Sequence, residues 1–241
     1  MPRADRAAQF VVPFEPSAGN VQSVHALTQP HVLRASGLAA LLSSLACYPR
    51  LALWLDRPDH TGLLWVILLW AFFFLWGFVF AWHAKYAGQK VFIFQIPRWW
   101  WLAATLAGGA VAWALRLWID PALRRFTPAD YPASLSVWGS MALFGVAFDQ
   151  LVLCFAPFAL FLRLFQNRKI AILSTVLLGV FIMALKVNAS EVHPPASLLA
   201  GLLAARILIG FLSVRFYLAG GAILAWWWRL LLETRHGADW W

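Results

Sequence analysis

Five polar or charged residues interrupt the apolar stretches of this chain, and they are the first candidates for chemistry. Asp149 and Gln150 lie fourteen and fifteen residues into an apolar run that starts at residue 135, and Arg206 lies within a later run. Arg229 and Glu233 stand four residues apart in the segment "WWWRLLLETRH" near the C-terminus. If these runs cross a bilayer, charge within them is expensive and is a functional hypothesis by default. In a catalytic protein we expect Asp149, Gln150, Arg229 and Glu233 to form the site.

Each of these residues also has a structural interpretation. Asp149 could pair with Arg206 or Arg229 and fix the register of two helices, or it could handle protons or orient a substrate. It could also lie in a loop, if the boundaries of its run are misplaced. Arg229 and Glu233 could be a catalytic pair, a structural ion pair or an interfacial anchor. Their Arg-before-Glu order is the less favourable one for helix stability, so an intrahelical gain is a weak reason for the pair.

The histidines and cysteines predict no metal site. No two histidines share a helical face inside an apolar run, and the sequence has no phosphate-binding glycine loop, nucleophile elbow or Cys-x-x-Cys. His83 ends an apolar run and is the one candidate ligand for a chlorophyll or haem, although an interfacial polar role is favoured for it. Cys47 and Cys154 lie in apolar sequence and are expected in the core. We predict no bound cofactor.

The composition indicates a membrane protein. The 241 residues are 62% hydrophobic and 12% charged, and the mean hydropathy is +0.71. Apolar runs approach the roughly 20 residues that a spanning helix needs. They are continuous, whereas a β-barrel has short alternating segments. We therefore predict an all-α, polytopic transmembrane bundle without a cleavable signal peptide.

The bundle is expected to have six or seven spans. Residues 1–34 contain four prolines and predict an extended N-terminal arm, and residues 35–241 form the transmembrane domain. The spans are predicted, in chain order, at 35–55, 62–82, 99–119, 135–165, 169–186, 196–214 and 216–233. The first is the weakest, because Pro49 and Arg50 interrupt it and predict a broken or half-buried helix. The fourth is longer than one crossing needs and predicts a tilted or kinked helix. The third contains "GGAVA", which would allow a neighbouring helix to approach closely.

The basic residues predict an orientation. With seven spans, one face collects a group that we call the basic set: Arg3, Arg6, Arg34, Lys85, Lys90, Arg98, Arg163, Arg168, Lys169 and Arg215. This excess favours a cytoplasmic N-terminus, and we expect a multi-pass protein of the bacterial inner (cytoplasmic) membrane. The net charge of +9 is better explained by topology and contact with the lipid bilayer than by nucleic acid.

Sixteen tryptophans are unusually many for a chain of this length. They cluster at 99–101, 226–228 and 240–241. Because indole rings sit well at the level of lipid headgroups, the favoured interpretation of each cluster is an interfacial belt that sets the depth of its helix. The alternative is a stacking surface for a pigment, a quinone or a partner helix.

The C-terminal half resembles a known family. The segments "FDQLVLCFAPFALFLRLFQNRKIAILSTVLLGVFIMALK" and "ASLLAGLLAARILIGFLSVRFYLAGGAILAWWWRLLLE" are similar in order and spacing to the core of the CPBP family, which comprises CAAX proteases and bacteriocin-processing membrane proteins. The resemblance covers about residues 145–235. It implies a helix with Glu-Glu-x-x-x-Arg, a helix ending near Phe-x-x-x-His, and a final helix with His-x-x-x-Asn.

The catalytic residues that the resemblance implies are replaced here. The Glu-Glu position falls on Asp149 and Gln150, and the Arg position falls on Cys154. The Phe-x-x-x-His position falls on 178–182 or 181–185, and neither stretch has a histidine. The His-x-x-x-Asn position falls on Arg229 and Glu233.

The replacements favour a scaffold of CPBP type that has lost protease activity. Such a protein would bind or help to assemble integral membrane protein partners, as a free scaffold or as a fixed subunit of an energy-converting or photosynthetic complex. The alternative is an active CAAX-type intramembrane endopeptidase with a divergent site built on Asp149.

Overall fold

The chain folds as a bundle of helices. The computed structural model describes residues 26–54, 58–128, 131–189 and 194–237, with 58 and 59 described by their backbone alone. Of the described residues, 89% are helical, and none belongs to a strand. The helices are α1 Pro30–Trp54, α2 Pro58–Phe78 with its continuation to Ala87, α3 Arg98–Trp118, α4 Asp120–Phe126, α5 Leu135–Phe144 with its continuation to Phe165, α6 Arg168–Asn188 and α7 Ala196–Gly237.

Five helices are long and apolar enough to cross a membrane, namely α1, α2, α5, α6 and α7. The bent pair of α3 and α4, whose axes differ by 55°, passes the same test as a sixth. Each predicted span lies on one of these helices, apart from residue 55, which is outside the described residues. The predicted all-α polytopic bundle is therefore confirmed.

Helix α7 is a hairpin with two arms. The Trp228 indole N–H donates to Ser213 Oγ at 3.1 Å across fifteen residues of sequence. A straight helix would separate those residues by about 22 Å, so the chain must fold back between them. The reversal lies at Gly220 and Gly221, whose dihedral angles are not helical. Two helical segments were expected here, but the reversal falls inside the span predicted at 216–233, so that span is wrongly bounded. Residues 216–219 continue the first arm (196–219), and 222–233 lie in the second arm (222–237).

The loop at 88–97 holds this turn. The Val91 carbonyl accepts a hydrogen bond from the Ala222 N–H at 2.8 Å and so satisfies one of the free donors at the start of the second arm. Phe92 forms an isolated β-bridge with Gly221. Gly221 has φ +67°, and a Cβ there would lie 2.4 Å from the Val91 oxygen. Only glycine fits both the dihedral angle and the contact.

Helix α1 differs from the prediction in two ways. It runs unbroken through Pro49, so the expectation of a broken helix is wrong. The Arg50 side chain is buried, and its guanidinium lies 4.7 Å from the centre of the Trp54 ring, which explains how the helix carries a charge there. The helix also begins at Pro30, so its first residues fall within the segment expected to be extended, and residues 1–25 lie outside the described part.

Three apolar clusters hold the described helices together: a small one joins α1, α2 and α5 around Trp82, and two others form the rest of the core. The larger of those two joins α1, α2, α5 and the α7 turn around the buried aromatic residues Trp76, Phe155 and Tyr217. It includes Cys47 and Cys154, both free and buried as expected. The other packs α3 against both arms of α7. There, a Cβ on Gly108 would lie 2.8 Å from Leu231 Cβ, which confirms the close approach predicted from "GGAVA".

We expect Gly221→Ala to destabilise the protein by about 2 kcal/mol or more, because alanine is strained at this dihedral angle and would collide with the Val91 carbonyl. The measurement is thermal unfolding in detergent, followed by the helical circular dichroism signal. Gly109→Ala is the matched control, since a Cβ there meets nothing within 4 Å. Equal unfolding midpoints for the two variants would contradict the close fit at the turn.

Candidate functional site

Three charged side chains from α5 and the second arm of α7 meet inside the bundle. Arg229 Nη2 lies 2.7 Å from Asp149 Oδ2 and 2.7 Å from Glu233 Oε1. The exposed fractions of the three side chains are 18% for arginine, 31% for aspartate and 9% for glutamate. We call this group the Arg229 cluster. Of the two partners that the sequence suggested for Asp149, the structure selects Arg229.

The backbone of α5 makes room for this cluster. Asp149 ends a π-helical turn, Gly145–Asp149, in which the wider winding shifts the register of the side chains that follow. A second π-helical turn, Leu151–Phe155, comes after it. A Cβ on Gly145 would lie 3.0 Å from two nitrogens of Arg229 and 3.1 Å from Glu233 Oε1. Gly145 was not predicted as a site residue, although a glycine four residues before an intramembrane aspartate is the signal that could have shown it.

Gln150 contacts the first arm of α7. Its amide nitrogen donates to Ser213 Oγ at 3.5 Å, and the same hydroxyl accepts from Trp228 at 3.1 Å. Gln150 Oε1 is buried and has no hydrogen-bond partner among the described residues. The structure therefore separates the roles of two adjacent candidates: Asp149 pairs with a charge, and Gln150 joins α5 to a serine.

Arg206 points to α6 instead of serving as the direct partner of Asp149. Its Nε donates to the Gly179 carbonyl at 3.2 Å. A Cβ on Gly179 would lie 3.0 Å from Arg206 Nη2, so this glycine lets the guanidinium lie against the backbone of α6. Gly179 was missed by sequence reasoning because its partner is twenty-seven residues away.

The Arg229 cluster is well suited to joining helices. One guanidinium bridges a carboxylate of α5 and a carboxylate of its own helix, and no water or substrate fits between atoms 2.7 Å apart. Arginine stays protonated and cannot exchange a proton as an imidazole does. No group of three His, Cys, Asp or Glu that could hold a metal occurs among the described residues. The geometry of the three side chains supplies charge compensation between α5 and the second arm of α7.

A second polar cluster, which the sequence did not suggest, lies at the end of the second arm. The Tyr131 hydroxyl donates to Asp120 Oδ1 at 3.0 Å, and Arg235 Nη1 lies 3.7 Å from the same oxygen. Arg235 Nε donates to His236 Nε2 at 3.0 Å. The Asp120 side chain is 2% exposed. Burial and, next, the Asp120 carboxylate raise the pKa of Tyr131 above its ordinary value.

His83 is fully buried within the bundle. It closes the π-helical turn Val79–His83, and its ring lies 4.6 Å from the Tyr217 ring and 6.0 Å from the Phe158 ring, measured between centroids. Neither ring nitrogen, nor the Tyr217 hydroxyl, has a hydrogen-bond partner in the described part of the chain. In this packing neither nitrogen is accessible to a haem or a chlorophyll.

The tryptophan clusters of α3 and the second arm meet each other. The Trp101 and Trp227 rings lie 6.0 Å apart, and Trp227 donates to Thr105 Oγ1 at 3.0 Å. Trp228 is completely buried, and Trp226 packs against the larger core. Within 226–228 the rings therefore also pack helices together, and Trp227 stays 36% exposed. Residues 240–241 lie outside the described part.

We expect Arg229→Met to destabilise the protein by about 3 kcal/mol, because it leaves two carboxylates without their cation. The triple variant Asp149→Asn, Arg229→Met, Glu233→Gln removes every charge of the cluster and should recover most of that loss. Unfolding in mixed micelles, followed by tryptophan fluorescence, measures both. Arg125→Met, which removes an exposed arginine of α4, is the control. A triple variant as unstable as the single one would refute charge compensation.

Tyr131→Phe should lower the stability by about 1 kcal/mol at neutral pH, because Asp120 loses its hydroxyl donor. Since the folded state holds the pKa of Tyr131 above its ordinary value, the contribution is complete below about pH 10 and is lost as the pH rises further. The variant should therefore lose less stability than the wild type above pH 10. Tyr48→Phe, at a position 46% exposed, is the control for thermal scans at both pH values. Parallel pH profiles for wild type and Tyr131→Phe would contradict the assignment.

Comparison with known proteins gave no match. No family model matches the sequence, and neither a curated protein nor a solved structure matches it. The resemblance to the CPBP family rests on the order of the helices and on the positions of Asp149, Arg229 and Glu233, and it stays an expectation.

Proposed function

We propose that this chain is a non-catalytic membrane protein of CPBP type that binds partner proteins in the bilayer or helps to assemble them. The observation that carries the proposal is the double ion pair of Arg229 with Asp149 and Glu233, at 2.7 Å each. Those three residues stand where the resemblance implies an acid, a histidine and an asparagine.

The meeting of these positions supports the resemblance. Asp149 and Arg229 are eighty residues apart in sequence, yet their side chains are in direct contact. A shared scaffold would bring the same positions together whatever residues occupy them. In this chain the contact is a salt bridge that joins α5 to the second arm of α7. A scaffold with this contact suits a role in which the helices keep fixed positions.

The outer face of α3 is the surface that we propose for partner contact. It presents four large apolar side chains, Leu102, Leu106, Trp113 and Leu117, which are 48–65% exposed. Gly109 lies among them with open space around its Cβ position, so a partner helix could approach the backbone there. The opposite face of α3 is already buried against α7.

The proposed scaffold function also implies a particular membrane and orientation. We place the protein in the bacterial inner membrane with its N-terminus in the cytoplasm, since the basic set favours that orientation. As a fixed subunit of an energy-converting or photosynthetic complex, it would offer the exposed rings of Trp99 and Trp227 for contact with a pigment or a quinone.

One feature keeps the alternative function in consideration. Asp149 uses one carboxylate oxygen for Arg229, and its side chain is 31% exposed. A carboxylate in that position could act as a general base in an intramembrane endopeptidase. The Asp149→Asn variant described below distinguishes the two functions.

We expect the wild-type protein, purified from native membranes in mild detergent, to carry a partner in fixed stoichiometry. Gly109→Leu and Trp113→Ala should reduce the retained partner at least tenfold, because both alter the outer face of α3. Trp70→Ala, on the exposed side of α2 at 59% exposure, is the matched control. Quantitative mass spectrometry of the purified samples gives the ratios.

Asp149→Asn is the variant that discriminates between the functions. Our proposal expects unchanged partner retention and no loss of any proteolysis in these membranes. The endopeptidase alternative expects cleavage of a membrane substrate that Asp149→Asn abolishes. A wild-type protein that purifies without any stoichiometric partner would remove the support for the scaffold function.

A further inference from the structure

One end of the bundle carries basic side chains and no acidic ones. It is the end where α1, α3 and α6 begin, where α2, α5 and the first arm of α7 finish, and where the loop 88–97 meets the Gly221 turn. The eight described members of the basic set, from Arg34 to Arg215, all lie there, and all but Arg163 are exposed. Within 26–40, 78–104, 158–175 and 210–226 there is no aspartate or glutamate.

The opposite end has a different electrostatic character. There Arg235 faces Asp120 at 3.7 Å, and Glu233 lies two residues before Arg235 on the same arm. The segment 1–25, outside the described residues, contains two arginines and two acidic residues, whose charges sum to zero. The anionic partner that would neutralise the basic end is thus absent from the described part of the chain.

A groove opens at this end beside the loop 88–97. Its volume is about 530 Å³. Lys90, Gln89 and Gln95 supply polar groups, and Phe94 and Leu218 supply apolar ones. Phe94 is 84% exposed, the highest value among the exposed large apolar residues of the described chain. A groove with a cation at one side and an uncovered aromatic ring at the other fits an amphipathic anion.

We infer that this groove binds an anionic phospholipid of the adjacent leaflet. The phosphate would lie at Lys90 and an acyl chain would run along Phe94 and Leu218. Three observations favour a lipid: the groove lies at the ends of apolar spanning helices, the surrounding charge is of a single sign, and the lining combines donors with apolar surface. Basic residues next to spanning helices attract anionic headgroups in this way.

The test uses the full-length protein, delipidated in detergent and titrated with dioleoyl phosphatidylglycerol or dioleoyl phosphatidylcholine, with native mass spectrometry as the readout. We expect preferential retention of phosphatidylglycerol. Lys90→Gln should lower its apparent affinity about fivefold, which is the contribution of one basic residue near an anionic surface. Phe94→Ser should weaken both lipids. Arg125→Gln, at the opposite end, is the matched charge control and should behave like the wild type.

The outcomes separate this groove from general charge attraction. Equal binding of the two lipids, or equal losses in Lys90→Gln and Arg125→Gln, would overturn the site. Inorganic phosphate that competes at millimolar concentration would overturn the lipid as occupant, because it would show that the headgroup charge alone suffices. Unchanged thermal midpoints for Lys90→Gln and Phe94→Ser would show that the losses are local. Lipid binding at this groove and partner retention at α3 are measured separately, so a negative result for one does not decide the other.

Discussion

A guanidinium inside a helical membrane bundle has to be neutralised where it lies, and much of this structure follows from that constraint. Arg229 is bound to two carboxylates, and one of them belongs to a different helix. The approach is eased by Gly145, where a Cβ would lie 3.0 Å from the guanidinium, and it occurs where α5 forms π-helical turns around Asp149. The electrostatic demand of one residue thus explains both an irregular helix and a glycine.

The second constraint is the reversal of α7. Arg229 and Glu233 can face α5 only because the chain turns back at Gly221 and sends the second arm alongside the first. The loop 88–97 supplies the acceptor for that turn, and α3 packs against the pair through Gly108. Four glycines lie at points where a backbone or a side chain comes close to another segment of the chain, namely Gly108, Gly145, Gly179 and Gly221.

The division of charge along the bundle separates two kinds of surface. Ionisable groups in the middle and at one end are compensated within the chain, as in the Arg229 cluster and in the contacts of Asp120. The basic end has no aspartate or glutamate within 26–40, 78–104, 158–175 and 210–226, which suits contact with an anionic molecule. Charge that is paired inside the bundle, together with a basic end that has no acidic residue among the described residues, fits the proposed role in binding other molecules.

Much was decided by the sequence alone, because long apolar runs have few alternatives in a bilayer. Their length and composition determined the all-α bundle, the positions of the helices and the burial of Cys47 and Cys154. They also reduced the partners of Asp149 to two arginines. Spacing could not choose between them, since both Arg206 and Arg229 lie in α7 and their orientation depends on how that helix folds back. The tertiary structure made that choice.

Other features were decided by packing between distant residues. The burial of His83 against Tyr217, the contact of Gln150 with Ser213 and the place of Trp228 in the core each join segments far apart in sequence. An indole or an imidazole is compatible with both an interface and a core, so residue type alone could not assign them. Likewise, Pro49 was expected to break α1, yet the helix runs through it. Local preferences set the helices, and the contacts between helices set what each polar side chain does.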